Sequence, residues 1–163
     1  MRLLLLAALI LASPLSAQSQ SLTVRRVDGT ERVLDAAALA RLPRVSGETL
    51  DHGTPLKYEG VLLKDVIRAA EAGPVDSLRG PALRRLVTLV ARDDYRIVMT
   101  LAELDATLGN TTVIVVDREN GVALDAERGP MRIIVAGDSR ASRWVRQIAR
   151  IELADTPAPS RAP

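Results

Sequence analysis

The residues with the clearest capacity for chemistry lie within residues 128–148 of this 163-residue chain. Arginines surround the only tryptophan, Trp144, at Arg132, Arg140, Arg143 and Arg146. A guanidinium group pairs with a phosphate or a carboxylate through two parallel hydrogen bonds. The turn residues Gly137-Asp138-Ser139 beside these arginines could present backbone N–H groups to the same ligand. The pattern therefore predicts a site for an anion.

Each of these residues also has a structural interpretation. Arg132 follows the turn Gly129-Pro130, so it could instead fix this turn through an ion pair with Asp117, Asp125 or Glu127. The other three arginines would align roughly on a helix, but charged residues at this spacing also form an ordinary solvated face. Trp144 could line a ligand cleft or anchor the core. The residues alone leave both interpretations open.

The only histidine, His52, follows Asp51. A carboxylate beside an imidazole can orient a general base or hold a metal ion, whereas a histidine in a polar turn is otherwise a surface residue. The sequence contains no Gly-rich phosphate loop, zinc motif or nucleophile elbow. We therefore include His52 in the ligand site, and we predict neither a catalytic residue nor a metal site.

The strands that must position these residues are short. Residues 22–27 and 31–34 flank Asp28-Gly29, a dipeptide typical of hairpin turns. Apolar runs bounded by turn residues predict further strands at 44–51, 56–61, 86–91, 95–99, 112–116, 132–135 and 148–153. Asp93-Asp94 is read as the turn between two of them rather than as a catalytic pair.

Three helices are predicted between the strands. Asp35 can cap a helix that runs to about Leu42, and an amphipathic pattern predicts a helix over residues 62–72. Thr100 and Glu103 form a capping box for a helix over residues 101–108. Residues 73–81 are predicted to be a loose surface connection, and residues 141–147 one helical turn or a bent loop. Many short strands with few helices indicate an α+β domain.

The beginning of the chain has the pattern of a secretory signal peptide: one arginine, a short apolar run and a small-residue exit. We predict cleavage after Ala17, a single domain over residues 18–154, and a disordered tail over residues 155–163. The protein would then be periplasmic or secreted, with no stable membrane span after cleavage; an uncleaved anchor helix is the alternative. The chain contains no cysteine, so an exported form would have no disulfide.

Charge and composition argue against a nucleic acid partner. Removal of residues 1–17 leaves 21 basic and 20 acidic residues, whereas phosphate neutralisation requires an excess of basic residues. The chain has one tryptophan, two tyrosines and no phenylalanine, which is too few aromatic residues for a base-stacking platform.

Five short motifs follow one another along the chain: Tyr58-Glu59-Gly60-Val61-Leu62-Leu63, Ala91-Arg92-Asp93-Asp94-Tyr95, Asn120-Gly121-Val122-Ala123-Leu124, Arg128-Gly129-Pro130-Met131-Arg132 and Arg143-Trp144-Val145-Arg146. In this order they resemble the molybdopterin-binding domain of the sulfite oxidase family, over about residues 44–153. The resemblance implies that family's mixed-sheet α+β fold with short helices, and it implies a molybdopterin cofactor.

The sequence departs from the family at the metal ligand. In catalytic members a cysteine sulfur binds molybdenum, in the segment before the aromatic-Gly-Val motif. The corresponding residues, about 45–57, include Ser46, Thr49 and Asp51 but no cysteine. An oxygen ligand would change the electronics of the metal. We therefore expect no cofactor, with molybdopterin bound through arginines and an oxygen ligand as the alternative.

The resulting hypothesis is an exported, non-catalytic ligand-binding or accessory module in the periplasm. Its ligand would be a small anion or a pterin, held between residues 45–58 and 128–146 by Arg132, Arg140, Arg143, Arg146, His52 and Trp144. Two alternatives are a molybdopterin-dependent oxidoreductase and an interaction partner of a membrane sensor or periplasmic redox complex.

Overall fold

The computed structural model describes residues 20–156, so the predicted signal peptide lies outside the described residues. The strands in this range are β1 Leu22–Arg25, β2 Glu31–Leu34, β3 Arg44–Asp51, β4 Thr54–Leu62, β5 Arg85–Ala91, β6 Arg96–Thr100, β7 Val113–Glu119, β8 Val122–Ala123, β9 Arg132–Val135 and β10 Ile148–Asp155. The helices are α1 Ala36–Ala40, α2 Leu63–Ala69 and α3 Leu101–Leu104, and 3₁₀ turns occur at Gly80–Arg84 and Ala141–Arg143. Mixed strands with a few short helices confirm the predicted α+β class.

The first sheet has the strand order β2-β1-β10-β5-β6. Its β1–β2 hairpin turns at Asp28-Gly29, where Gly29 has a φ of 84° and Thr30 N donates to Asp28 Oδ1 at 2.9 Å. Glycine adopts a positive φ without steric cost, so this dipeptide explains the predicted hairpin. The first and last strands, β1 and β10, pair in parallel, and the other pairs of this sheet are antiparallel.

The second sheet has the order β3-β4-β7-β8, and β9 also pairs with β7. The pairing of β4 with β7 shifts register between Glu59 and Gly60. A Cβ atom at position 60 would overlap the carbonyl oxygen of Val115. Only glycine therefore permits this close approach of the two strands, which gives a physical reason for the glycine of the Tyr58-Glu59-Gly60 motif.

The core takes apolar side chains from both sheets and from the helices. Helix α2 contributes Leu63, Val66 and Ile67, which are fully buried. The hydrophobic face that the sequence predicted for α2 therefore lies against the sheets, as its amphipathic pattern requires. The core also includes Tyr58, which packs over Gly47, where an added Cβ atom would overlap the ring.

Two of the predicted helices are shorter in the structure. Helix α2 ends at Ala69 instead of residue 72, because Glu71 adopts a φ of 54° that no right-handed helix accommodates. Helix α3 ends at Leu104 instead of residue 108, although Thr100 N donates to Glu103 Oε1 at 2.8 Å as the capping box predicts. No helix within residues 20–156 is long and apolar enough to cross a membrane.

The connection at residues 73–81 is more firmly held than its prolines and glycines predict. Val75 and Leu78 are buried in the core, and Leu78 N donates to Asp105 Oδ2 at 2.7 Å. The prediction of a loose surface connection is therefore wrong for its centre. Apolar burial and one long-range hydrogen bond, neither visible in local composition, hold it.

Strand β10 also extends further than predicted, to Asp155 rather than residue 153. Arg85 Nε donates to Asp155 Oδ1 at 2.9 Å, and this hydrogen bond lowers the pKa of the Asp155 carboxyl. Asp155 was predicted to begin the disordered tail, but it is the last residue of the strand. Residues 157–163 lie outside the described range.

Candidate functional site

The candidate site is built on strand β9 and the segment that returns beside it. Strand β9 pairs with β7, which places Arg132 opposite Val116. The returning segment is hydrogen-bonded to β9 through Ile133 N to Val145 O at 2.7 Å and Ile148 N to Met131 O at 3.0 Å. This backbone arrangement brings Trp144 next to Arg132.

Arg132 is 2% exposed, and carboxylates from two other strands surround it. Its Nη1 donates to Glu119 Oε1 at 2.8 Å and lies 3.6 Å from Asp51 Oδ2. The guanidinium carbon is 5.2 Å from the centre of the Trp144 ring, within the distance of a cation–π contact. Its Nε has no hydrogen-bond partner among the described residues. The guanidinium is thus paired and covered rather than open to a ligand.

Trp144 is 6% exposed and anchors this arrangement. Its Nε1 donates to the carbonyl oxygen of Val135 at 3.2 Å. The ring therefore has a satisfied polar group at one end and a guanidinium at its face, as expected for a buried tryptophan. The structure supports the interpretation as a core anchor.

Glu119, the last residue of β7, holds two arginines at once. It is 4% exposed, and its Oε2 accepts from Arg128 Nη1 at 2.7 Å while its Oε1 accepts from Arg132. Arg128 also donates to Asp125 through Nε and Nη2, at 3.2 and 3.0 Å. These bonds raise the pKa of Arg128 and lower that of the Asp125 carboxyl. We call Asp51, Glu119, Asp125, Arg128 and Arg132 the Glu119 network.

The other predicted arginines do not line one helical face, because only Ala141–Arg143 form a 3₁₀ turn. Arg143 donates to both oxygens of Asp138, at 2.9 and 2.6 Å, and to Glu103 Oε2 at 3.2 Å. The bond to Asp138 is the main reason that the pKa of Arg143 is raised. Arg146 donates to Glu127 at 2.7 Å on the surface. Arg140 is exposed and makes no side-chain hydrogen bond to the described residues.

His52 lies at the tip of the β3–β4 hairpin, with a φ of 49° and a side chain that is 84% exposed. Its Nε2 is 3.7 Å from Asp51 Oδ1, beyond hydrogen-bond distance. Asp51 therefore links the histidine loosely to the Glu119 network, while its other oxygen faces Arg132. Within residues 20–156, no three His, Cys, Asp or Glu side chains group together in a way that could hold a metal ion.

Carboxylates outnumber guanidinium groups in this region. The arginines are Arg128, Arg132, Arg140, Arg143 and Arg146, and the acids beside them are Asp51, Glu103, Glu119, Asp125, Glu127 and Asp138. Five positive charges against six negative ones leave one net negative charge. The surface predicted to attract anions is therefore neutralised by the protein's own carboxylates.

Sequence reasoning missed the partner of Arg132. The three acids proposed for it pair elsewhere: Asp117 with Arg44, Asp125 with Arg128, and Glu127 with Arg146. The hydrogen bonds that Arg44 donates to Asp117 also raise the pKa of Arg44. Glu119 lies beyond the strand predicted at residues 112–116, whereas in the structure it ends β7 and is buried. Its pairing with Tyr58 across the sheet depends on the bulge at Gly60, which a single sequence does not place.

A second buried carboxylate, Asp105, was also missed. It is fully buried and accepts from Leu78 N at 2.7 Å, and from Thr107 N and Thr107 Oγ1, both at 2.7 Å. The hydrogen bond from Leu78 is the main cause of the lowered pKa of Asp105. An aspartate two residues before a threonine is a common turn signal, but the bond to Leu78 is long-range.

Comparison with known proteins gives one family and one fold. The model of the oxidoreductase molybdopterin-binding domain matches residues 45–162. The sulfane dehydrogenase SoxCD from Paracoccus pantotrophus has a similar structure, with a TM-score of 0.60 and 20% sequence identity. The match covers 86% of this chain and 39% of the SoxCD chain, so this chain spans well under half of that protein. No curated protein sequence matches the chain.

Proposed function

This chain belongs to the oxidoreductase molybdopterin-binding domain family, and from that premise we propose that it is a non-catalytic member that acts as an exported accessory module. The observation that carries the proposal is the neutralisation of the arginine segment by carboxylates. Such a module would use the family's fold as a protein-binding scaffold instead of as a cofactor holder. Its partner would be a periplasmic or membrane protein, such as a sensor or a redox complex.

The available metal ligands do not suit a molybdopterin cofactor. The segment of β3 and β4 that precedes the Tyr58 motif offers oxygen atoms from Ser46, Thr49 and Asp51 and the imidazole of His52, but no thiol. Asp51 is already placed between Arg132 and His52, at 3.6 and 3.7 Å. Catalytic members of the family bind molybdenum through a thiolate, which is a softer ligand than the atoms that this segment offers. We therefore derive no redox step for these residues.

The charge of the region does not suit the cofactor either. Molybdopterin carries a phosphate, which an exposed guanidinium group would have to bind. Arg132 is covered, Arg143 is bound by two carboxylates, and Arg128 is bound by Glu119 and Asp125, so Arg140 is the one arginine of the segment that is exposed and has no carboxylate partner among the described residues. At Arg128 and Arg132 a phosphate would have to displace these acids, and it would leave Glu119 buried without its partners.

Two exposed apolar residues flank the network and mark a candidate surface for the partner. Leu50, next to Asp51, is 63% exposed, and Val122, which pairs with Glu119 across the β7–β8 turn, is 66% exposed. The Glu119 network has three carboxylates and two guanidinium groups, so its net negative charge does not favour an anion, whereas exposed apolar residues favour burial against a protein. This supports a protein partner over a small anion at this place.

The cofactor part of the proposal can be tested by elemental analysis. The protein should be expressed in its own host, recovered from the periplasm, and assayed for molybdenum and for pterin fluorescence after oxidation. A cysteine-containing family member prepared in parallel is the control. We expect no stoichiometric molybdenum or pterin in this protein. Stoichiometric amounts of both would overturn the proposal in favour of a molybdopterin-dependent oxidoreductase.

The accessory role can be tested by site-specific crosslinking in cells. A photo-reactive residue at position 50 or 122 should capture one defined protein, whereas the same residue at Val33, on the exposed face of the other sheet, should not. Equal capture from all three positions would contradict a specific surface. Recovery of the protein in the cytoplasm with its first 17 residues attached would contradict export.

A further inference from the structure

An open pocket lies away from the Glu119 network, near the beginning of β7. It has a cavity volume of about 40 Å³ and is lined by the apolar residues Leu62, Leu104 and Val113 and by the polar residues Lys64, Asn110, Thr111 and Thr112. An apolar floor with a few polar groups is the usual composition of a small-molecule site. The volume suits a ligand of only a few heavy atoms.

Lys64 supplies the charge in this pocket. Its side chain is 27% exposed, and its Nζ is 3.9 Å from Asp76 Oδ1, too far for a hydrogen bond. The other oxygen of Asp76 accepts from Arg68 Nη2 at 2.6 Å. The ammonium group carries three N–H donors, and none of them has an acceptor among the described residues. Lys64 is thus a partly exposed cation that forms an ion pair with Asp76 but no hydrogen bond to the described residues.

Asp105, the nearest buried acid, does not neutralise Lys64. Its oxygens already accept hydrogen bonds from Leu78 and Thr107. The bond from Leu78 dominates the lowering of the Asp105 pKa, and the charge of Lys64 makes only the smallest contribution. The charge of the Lys64 ammonium group contributes to the lowered pKa of Asp105, but the ammonium makes no hydrogen bond to this carboxylate.

The other polar groups of the pocket are held on a fixed backbone. Asn110 N donates to Asp105 O at 2.9 Å, and Thr111 N donates to Glu103 O at 2.7 Å. The side chains of Asn110, Thr111 and Thr112 have no hydrogen-bond partner among the described residues. The exposed amide of Asn110, the exposed hydroxyl group of Thr112 and the half-buried hydroxyl group of Thr111 thus line the same pocket as Lys64 and are available as donors.

We propose that this pocket binds a short-chain monocarboxylate. The carboxylate accepts hydrogen bonds from Lys64 and from the neighbouring amide and hydroxyl donors, and its alkyl chain packs on Leu62, Leu104 and Val113. A carboxylate fits better than a neutral ligand because the pocket offers donors and a charge. An alkyl chain distinguishes it from inorganic phosphate, which would leave the apolar floor unused. The proposal is independent of the accessory role.

The chain is well suited to a direct test, because Lys57 and Lys64 are its only lysines. Protein labelled with ¹⁵N-lysine should be titrated with butyrate, and the two backbone amide signals followed by NMR. We expect a saturable shift at Lys64 and none at Lys57, which is exposed on the β3–β4 hairpin. Butyramide, the neutral analogue, and inorganic phosphate should both bind at least tenfold more weakly.

Matched variants separate the charge from the fold. Lys64→Met should weaken butyrate binding about tenfold or more, measured at the Val113 amide in uniformly labelled protein, because it removes a charge-assisted hydrogen bond. Lys57→Met should leave the affinity unchanged. Asn110→Gly deletes one donor and tolerates the φ of 47° at this position, so it should weaken binding by a smaller factor without unfolding the turn.

Three results would overturn the proposal. Equal binding of butyramide would mean that the charge is not used, and equal binding of phosphate would mean that the apolar floor is not used. Unchanged butyrate affinity in a folded Lys64→Met variant would place the ligand elsewhere. None of these results affects the accessory role, which is tested by molybdenum analysis and crosslinking.

Discussion

Within residues 20–156 the protein buries acidic groups in two places, and it stabilises them in opposite ways. In the Glu119 network the carboxylate is held by two arginines, and one buried nitrogen, Arg132 Nε, is left without a partner. At Asp105 the carboxylate has no hydrogen-bonded cation and accepts from the Leu78 backbone and from Thr107. The first site joins side chains from separate strands, whereas the second closes a loop.

This difference bears on the meaning of a buried charge. Backbone donors cannot move away without unfolding a segment, so the role of Asp105 is explained by the loop that it holds. Paired side chains can exchange partners, and the family to which the chain belongs uses this fold to bind an anionic cofactor. The Glu119 network is thus the place where function could have been altered without changing the backbone.

The largest expected effect is that of Glu119→Gln. It removes the charge that Arg132 and Arg128 share, and the remaining carboxylate near Arg132, Asp51, is 3.6 Å away. Breaking a buried ion pair in this way typically costs about 3–5 kcal/mol. Urea denaturation followed by circular dichroism measures the loss. A loss below about 1 kcal/mol would show that the network is not a stabilising unit.

Arg132→Met should be less costly, because Glu119 retains its 2.7 Å bond with Arg128. We expect a loss of about 1.5–3 kcal/mol, the range for a hydrogen bond to a charged group. The same denaturation experiment checks the order of the two variants. If Arg132→Met proves more destabilising than Glu119→Gln, the assignment of Glu119 as the shared partner is wrong.

Asp105→Asn should destabilise less than either change, and its effect should depend on pH. The folded-state pKa of Asp105 is lowered by the Leu78 hydrogen bond, so its contribution is fully present above the unfolded pKa of about 3.9. It is lost as the pH falls through the lower folded pKa. The difference in unfolding free energy between wild type and variant should therefore shrink below pH ~4. A difference that is constant from pH 7 to pH 2 would contradict this role.

Arg146→Ala should have the smallest effect. Its pair with Glu127 is exposed, with side-chain exposures of 54% and 77%, and such pairs contribute at most about 1 kcal/mol. Addition of 0.5 M salt should abolish even this difference, because surface charges are screened. A salt-resistant loss would mean that Arg146 belongs to the buried network.

The sequence predicted the local features of this fold and missed the long-range ones. Asp28-Gly29 and the Thr100–Glu103 capping box were predictable because their causes lie within four residues. The end of α3 was not predictable. Asp105, the residue that follows this helix, accepts a hydrogen bond from Leu78, which is 27 residues away along the chain. Arg132 was predicted either to bind a ligand or to fix the turn through an ion pair, and the carboxylate that it pairs with depends on the register between β4 and β7. Register is fixed here by a glycine contact with Val115, which requires the folded backbone.

The position of β10 has a consequence for the order of events in folding. It is the last strand within residues 20–156 and the central strand of the first sheet, where Thr23 of β1 is opposite Arg150. Contacts between residues so distant in sequence slow folding, because the chain between them must first be closed into a loop. The β1–β2 and β5–β6 hairpins can form early, but they cannot join until β10 pairs between them. We expect the folding rate to depend on this last pairing more than on either hairpin.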